Sequence, residues 1–200
     1  MEQEQPELDV KTRILMSAKK LFAKQGFEGT SVRQICDDAS VNIALVSYHF
    51  GGKDKMFTAI FEQLFPGYDM DQYKERMDEP VSGLAFAIHE IVKYTLIDTE
   101  LSDIVQQELT MRTPRKEVVL SFLRPVWSAV KQLLDRGKSQ GKFHFESSGE
   151  ALLMVMGVCL SHKLMINNEP LLGFKDADPE LISQQAIQFI FKGLGVEDTK

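Results

Sequence analysis

The stretch from Thr30 to Phe57, TSVRQICDDASVNIALVSYHFGGKDKMF, constrains the fold most, because it predicts two short helices joined by a very tight turn. Ser31 and Gln34 form a capping-box pattern, which predicts that a helix begins at Val32. Asn42 is well suited to cap a second helix, from Ile43 to about Phe50. This arrangement is typical of a helix-turn-helix unit, whose second helix can lie in the major groove of DNA. An ordinary helical hairpin inside a core is the alternative.

The second helix is predicted to be anchored on one side and free on the other. Val46 and Phe50 are predicted core residues, whereas Ser47, Tyr48 and His49 are polar. An eight-residue helix is too short to be stable alone, so it needs this anchoring. Two glycines follow it, and the next helix then opens with Lys53, against the preference of a helix start for an anion. A phosphate beside the cation would explain that choice.

With its neighbours, this stretch resembles the amino-terminal DNA-binding domain of the tetracycline-repressor (TetR) family of bacterial transcription regulators. The resemblance runs from about Lys11 to Phe57 and includes the segments GFEGTSVRQI and VNIALVSYHFGGKDKMF. The residues that match the family pattern in the second half are Ala44, Tyr48, His49, Phe50 and Lys53. The departures are Ser40, Leu45 and Ser47, where the family usually has glycine, a polar residue such as threonine, and tyrosine.

The resemblance implies a set of DNA contacts within residues 31–53. Phosphate contacts are implied for Ser31, Tyr48, His49 and Lys53. Base-edge contacts are predicted at the exposed start of the short helix, by Asn42, Ile43, Ala44 and Ser47. Ile43 or Ala44 can meet a thymine methyl group, and the Ser47 hydroxyl can meet a donor or an acceptor. Arg33 can reach a phosphate, or can pair with Asp37 at helical spacing.

The distribution of charge supports a nucleic-acid partner although the whole chain carries a net charge of −6. The segment from Lys11 to Thr58 has eight basic and four acidic residues, whereas the rest of the chain is acidic. A small basic module on an acidic body is expected when one end meets phosphate. The alternative for Lys19, Lys20 and Lys24 is a plain solvated face of the first helix.

The remaining apolar periodicity predicts helices throughout, so the predicted fold class is all-α. A three-helix amino-terminal helix-turn-helix domain, residues 1–57, precedes a larger helical effector-binding and dimerisation domain, residues 58–200. Gly26 is predicted to end the first helix in a left-handed conformation, residues 66–79 to be loop-like or only partly helical, and Pro125 to kink a long helix. The other helices are predicted at Asp9–Gln25, Asp54–Phe65, Pro80–Ile97, Leu101–Arg112, Arg115–Ser139, Ser147 or Ser148 to Asn168, and Pro179–Leu194.

The last two of these helices are apolar on more of their surface than a body of this size needs. The dimer implied by the resemblance, a four-helix bundle made from the last two long helices of each subunit, accounts for that surplus. The body can also hold an apolar pocket for a small molecule, although such residues are more often plain core. The candidate pocket residues are Phe86, His89, Phe122, Trp127, Met154 and His162.

Other function classes have little support in the sequence. No phosphate-binding glycine loop, nucleophile elbow or metal-ligand spacing is present, so neither an enzyme nor a cofactor or metal site is predicted. Cys36 and Cys159 are the only cysteines, and no apolar run approaches a membrane span, so a cytoplasmic location is expected.

The predicted function is a homodimeric repressor that releases a palindromic double-stranded DNA operator when a small, largely apolar effector binds. A helical protein-interaction module without DNA binding, or an activator of the same fold, is the alternative.

Overall fold

A computed structural model describes residues 9–111, 113–165 and 178–196, and confirms the all-α fold class. Within these residues every regular element is helical. The helices are α1 Val10–Gln25, α2 Val32–Ala39, α3 Ile43–Phe50, α4 Lys53–Leu64, α5 Pro80–Ile97, α6 Thr99–Thr110, α7 Arg115–Ser139, α8 Ser148–Met165 and α9 Pro179–Gly193.

The predicted helix boundaries hold to within one or two residues wherever the structure describes them. The predicted ends at Arg112 and Asn168 lie outside the described residues. Residues 66–79 form three short turns of 3-10 helix, in agreement with a partly helical segment. Gly26 ends α1 with φ 74° and ψ 167°, so its φ is positive as expected but its conformation is not the left-handed helical one.

The residues group into two compact units. The first comprises Met1–Tyr68 and Glu100–Phe122, and the second comprises Asp69–Thr99 and Leu123–Lys200. Helix α7 contributes residues to both units. These two units are defined by how compactly their residues pack. The division at residue 57 separates a DNA-binding domain from an effector-binding domain, and it stays a prediction. None of the helices that the structure describes is both long and apolar enough to cross a membrane.

The core of the first unit is built on aromatic rings. Phe27 packs on Phe22 and Phe57 with ring centres 5.2 and 5.5 Å apart, and Phe61 stacks on Phe122 at 5.4 Å. Aromatic pairs at such separations stabilise a core beyond their buried area. This cluster holds α1, α4 and the start of α7 together and supports the short helices α2 and α3.

The core of the second unit lies between α5, the end of α7, α8 and α9. Its buried members include Leu84, Ile88, Leu134, Val155 and Ile190. The apolar positions of α5 recur every three or four residues, and this spacing turns one stripe of the helix toward its neighbours. Burial of this stripe, and not helix propensity, fixes the position of α8 and α9 within the unit.

Candidate nucleic-acid interface

Three residues make the turn between α2 and α3. Ser40 has φ 54° and ψ 50°, in the left-handed region that is costly for any residue with a Cβ. The Val41 N–H donates to the Cys36 carbonyl at 2.9 Å, and the Asn42 Oδ1 accepts from the Ala44 N–H at 2.9 Å. The predicted cap at Asn42 is therefore confirmed, and it fixes the angle at which α3 leaves the turn.

The eight residues of α3 divide into a buried and an exposed face. Val46 and Phe50 are buried, which confirms the prediction that they belong to the core. Ile43 is 56% exposed and Tyr48 is 81% exposed. With the exposed Ala44 and Ser47, they form one continuous strip, defined here as the α3 strip: Ile43, Ala44, Ser47 and Tyr48. The structure therefore brings together the predicted base-contacting residues of α3.

The two capping residues keep part of their hydrogen-bonding capacity. The Ser31 hydroxyl accepts from the Gln34 N–H at 3.2 Å and donates to the Gln34 Oε1 at 2.9 Å, and the Ser31 N–H donates to the same oxygen at 2.8 Å. The predicted capping box is therefore confirmed. Asn42 uses its Oδ1 as a cap, which leaves its amide N–H₂ as a donor. Both side chains are exposed.

Arg33 and His49 flank the α3 strip. The Arg33 side chain is exposed, and within the described residues it makes no ion pair with Asp37, the pairing that helical spacing allowed. His49 is half-buried, with its ring centre 5.0 Å from that of Tyr48. Arg33 is thus available to a phosphate, and His49 braces the exposed tyrosine.

Lys53 has a role in the fold that the sequence did not suggest. Its Nζ donates to the carbonyls of Phe27 and Thr30, each at 2.8 Å. The same ammonium lies 4.1 Å from the centre of the Phe27 ring. These contacts fix the start of α4 to the loop between α1 and α2. An ammonium has three donors, so a phosphate contact by Lys53 requires the remaining one.

The basic residues of α1 are partly neutralised by acids. Lys20 and Asp38 pair at 2.7 Å, and this hydrogen bond holds the pKa of Asp38 below its ordinary value. Lys19 is buried and lies 3.4 Å from Glu100. The interpretation of Lys19, Lys20 and Lys24 as a plain solvated face is therefore wrong for Lys19. Asp38 is already counted among the four acids of this segment, so only Glu100, which lies outside the segment, lowers the local positive charge further.

Arg115 joins three parts of the first unit, and no sequence pattern pointed to it. Its guanidinium contacts the buried Glu108 carboxylate at 3.2 Å and the Glu28 carboxylate at 2.9 Å. It also lies 4.0 Å from the centre of the Phe27 ring. Nearby, the Gln107 Nε2 donates to the Ala23 carbonyl at 2.7 Å. These contacts fix α6 and the start of α7 to α1 and its following loop.

The predicted pocket residues are divided between the two compact units. Phe122 belongs to the first unit and the other five belong to the second. Met154 is exposed on α8, while Trp127 and Phe86 are half-buried. The His89 Nδ1 lies 3.0 Å from the Ser183 hydroxyl, and the buried His162 Nε2 lies 3.1 Å from the Thr95 hydroxyl.

An open groove of about 320 Å³ lies between α8 and α9 in the second unit. Its walls are mostly apolar and include Phe145, Met154, Val158, Phe189 and Leu194. Leu153, Met154 and Phe189 are between 68% and 69% exposed. Large apolar side chains exposed together mark a surface that contacts another molecule.

The geometry of α2, the turn and α3 defines the class of the protein: a helix-turn-helix regulator that presents its second helix outward. The sequence profile described as "Bacterial regulatory proteins, tetR family" matches residues 14–60. This match covers the helix-turn-helix and the helices beside it, and it confirms the resemblance to the TetR family in this part of the chain. Regulators of this kind are not enzymes, as predicted.

The chain is similar to two curated regulators over most of its length. One is a probable HTH-type transcriptional regulator, YttP of Bacillus subtilis strain 168, 27% identical over 162 residues that cover 74% of this chain and 77% of YttP. The other is the HTH-type transcriptional repressor NicS of Pseudomonas putida KT2440, 24% identical over 152 residues that cover 73% of this chain and 72% of NicS.

The fold is also similar to the crystal structure of the Bacillus subtilis transcriptional regulator FadR in complex with stearoyl-CoA. The TM-score is 0.69 with 18% sequence identity, and the match covers 91% of this chain and 98% of FadR.

Proposed function

We propose that the protein is a homodimeric repressor that binds a palindromic operator and releases it when a small apolar effector binds. The observation that carries this proposal is the α3 strip, which places apolar and hydroxyl side chains outward on a helix anchored by Val46 and Phe50. A helix of this kind fits the major groove and can read base edges there. The similarity to the repressor NicS supports repression over activation.

The phosphate contacts of each subunit surround the α3 strip. Ser31 and Arg33 lie at the start of α2, and Tyr48, His49 and Lys53 lie at the end of α3 and the start of α4. We assign the main phosphate contacts to the exposed Arg33 and Tyr48. Lys53 contributes through its remaining donor and holds the loop before α2 in place.

Dimerisation uses the exposed faces of α8 and α9. Leu153 and Met154 on α8 and Phe189 on α9 expose most of their surface. A buried phenylalanine contributes on the order of 150–250 Å² of apolar surface, so two copies of these helices can bury a sizeable apolar core. A two-fold dimer then matches a palindromic operator, with half-sites about 34–36 Å apart.

Release of DNA follows from a shift between two dimer states with different spacing of the α3 helices. An effector that binds more tightly to the dimer state in which the two α3 helices cannot reach both half-sites lowers DNA affinity. The coupling free energy between the two binding events is typically about 1–3 kcal/mol. Helix α7 is part of both compact units, and Arg115 at its start is fixed to the loop before α2. Within the first unit, Arg115 couples the start of α7 to the loop before α2 through Glu28 and Phe27.

The effector is expected to be largely apolar. FadR, whose fold is similar, binds stearoyl-CoA in its crystal structure. The second unit of this chain has an apolar interior, in which the hydroxyls of Thr95 and Ser183 contact the two histidines. We propose that His89 and His162 supply the polar groups of the effector site within this unit, with Phe86 and Trp127 as apolar lining.

The proposal is tested by selecting duplexes from a random library with the purified protein, and then measuring affinity by fluorescence anisotropy in a series of salt concentrations. One enriched palindrome, bound with a steep negative salt slope by a dimer, supports the proposal. Addition of long-chain acyl-CoA or free fatty acid should lower the affinity.

In vitro transcription from a promoter that contains the selected site separates repression from activation. Failure to enrich any sequence, or binding by a monomer alone, would contradict the DNA-binding proposal and favour the protein-interaction module.

A further inference from the structure

We propose that Ile43, assisted by Ala44, reads the 5-methyl group of thymine, so that methyl contacts determine much of the operator preference. This inference rests on the proposed DNA-binding function. It concerns the chemistry of the base contact and not the existence of DNA binding.

The composition of α3 excludes bidentate hydrogen bonding to a purine base. Residues 43–50, IALVSYHF, contain no Arg, Lys, Asn, Gln, Asp or Glu. Bidentate recognition of guanine requires Arg or Lys, and bidentate recognition of adenine requires Asn or Gln. No side chain of α3 can therefore make these pairings. What α3 can offer a base edge is the hydroxyls of Ser47 and Tyr48, the His49 ring and aliphatic carbon.

Asn42, directly before α3, is the nearest amide side chain, and its capping role limits it. Its Oδ1 is bound to the Ala44 N–H at 2.9 Å. Bidentate pairing with adenine needs both the oxygen and the nitrogen of the amide. Asn42 can donate one hydrogen bond from its N–H₂ group while it serves as the cap. It therefore adds a single contact beside the one made by Ile43.

The position of Ile43 suits an apolar contact in the groove. At 3.6 residues per turn, the four residues of the α3 strip lie within an arc of about 140°. Ile43 and Ala44 occupy the amino-terminal end of this arc, where recognition helices contact base edges. A β-branched side chain has few rotamers, so Ile43 loses little conformational freedom when it meets a methyl group. Ile43 is 56% exposed, so its aliphatic carbons are accessible to a partner.

Deoxyuridine tests the inference because it differs from thymidine only by the missing methyl group. Each thymine of the selected operator is replaced in turn, and affinity is measured at one fixed salt concentration. At one or two positions of each half-site the affinity should fall about fourfold, the factor that corresponds to one buried carbon of this size. At those positions Ile43→Ala should bind the thymine and deoxyuridine duplexes within about 1.5-fold of each other.

Ser47→Ala is the matched control, since it shortens a neighbouring side chain of the same exposed strip. It should lower affinity for both duplexes and keep the fourfold preference for thymine. The inference is overturned if no deoxyuridine substitution weakens binding, or if Ile43→Ala weakens both duplexes equally and keeps the preference. Either result leaves DNA binding intact. Absence of any bound duplex is the separate result that contradicts the proposed function itself.

Discussion

Replacement of Lys53 by methionine separates a structural role from a phosphate contact. Lys53→Met keeps the length and apolar part of the side chain but removes its charge and donors. In the folded protein those donors are bound to the carbonyls of Phe27 and Thr30, each at 2.8 Å, and the ammonium lies over the Phe27 ring. The substitution therefore removes the tie between α4 and the loop before α2.

The expected loss of stability follows from these contacts. A hydrogen bond to a charged group contributes about 1.5–3 kcal/mol, and an exposed cation over an aromatic ring contributes about 0.5–1 kcal/mol. Lys53 is half-buried, so solvent takes over part of the lost interaction. The free energy of unfolding should fall by about 3 kcal/mol. The matched control is Lys55→Met, at an exposed position two residues further along α4, which should change the free energy of unfolding by less than about 0.5 kcal/mol.

Urea unfolding followed by circular dichroism measures the loss of stability, and DNA affinity in a salt series measures phosphate contacts. If the third donor of Lys53 meets a phosphate, Lys53→Met should reduce the salt slope by about 0.9 for each subunit. Equal stability of Lys53→Met and Lys55→Met would refute the structural role. An unchanged salt slope would remove Lys53 from the phosphate contacts and leave the structural role in place.

Three further predictions concern the turn, a buried histidine and the thiols. Ser40→Gly should raise the free energy of unfolding by about 1 kcal/mol, because glycine adopts φ 54° without strain; an unchanged urea midpoint would contradict this. Burial, aided by the adjacent Lys163, lowers the pKa of His162 in the folded protein, so the unfolded chain binds the proton more readily. Stability should therefore fall as pH drops below about 6.5, and less steeply in His162→Gln; parallel pH profiles would refute the assignment. Burial raises the pKa of the Cys36 thiol and raises that of Cys159 to about 12. Both thiols should therefore react with a thiol reagent only after the protein is unfolded in urea, and rapid reaction of the native protein would contradict this.

The local pattern of the sequence was sufficient to predict the helix-turn-helix. The capping box at Ser31 and the cap at Asn42 are made by residues within three positions of each other, so a short window contains the whole interaction. The exposed face of α3 followed in the same way from the positions of Val46 and Phe50.

The contacts of Lys53 and Arg115 could not be predicted in this way. Lys53 binds carbonyls 23 and 26 residues earlier, and backbone carbonyls are present at every position, so no residue pattern marks them. Arg115 contacts Glu28, which is far away in the chain. A lysine at the start of a helix looked like a phosphate ligand because its protein partners come together only in the tertiary structure.

The pocket residues stay a prediction for a similar reason. Aromatic and methionine residues were selected by type and helical spacing, and neither property tells an interior position from an exposed one such as Met154. Helix α8 is apolar nearly all round, so its sequence cannot indicate which face packs on α5 and which stays free. That choice is made by the neighbouring helices.

The most direct measurement is the affinity of Ser47→Glu for the selected operator. A carboxylate in the middle of the α3 strip should repel the DNA backbone and bases, so affinity at constant salt should fall at least tenfold. Gln106→Glu adds the same charge at an exposed position of α6 and should change affinity less than twofold. If both substitutions weaken binding equally, or if neither does, then α3 does not enter the DNA groove.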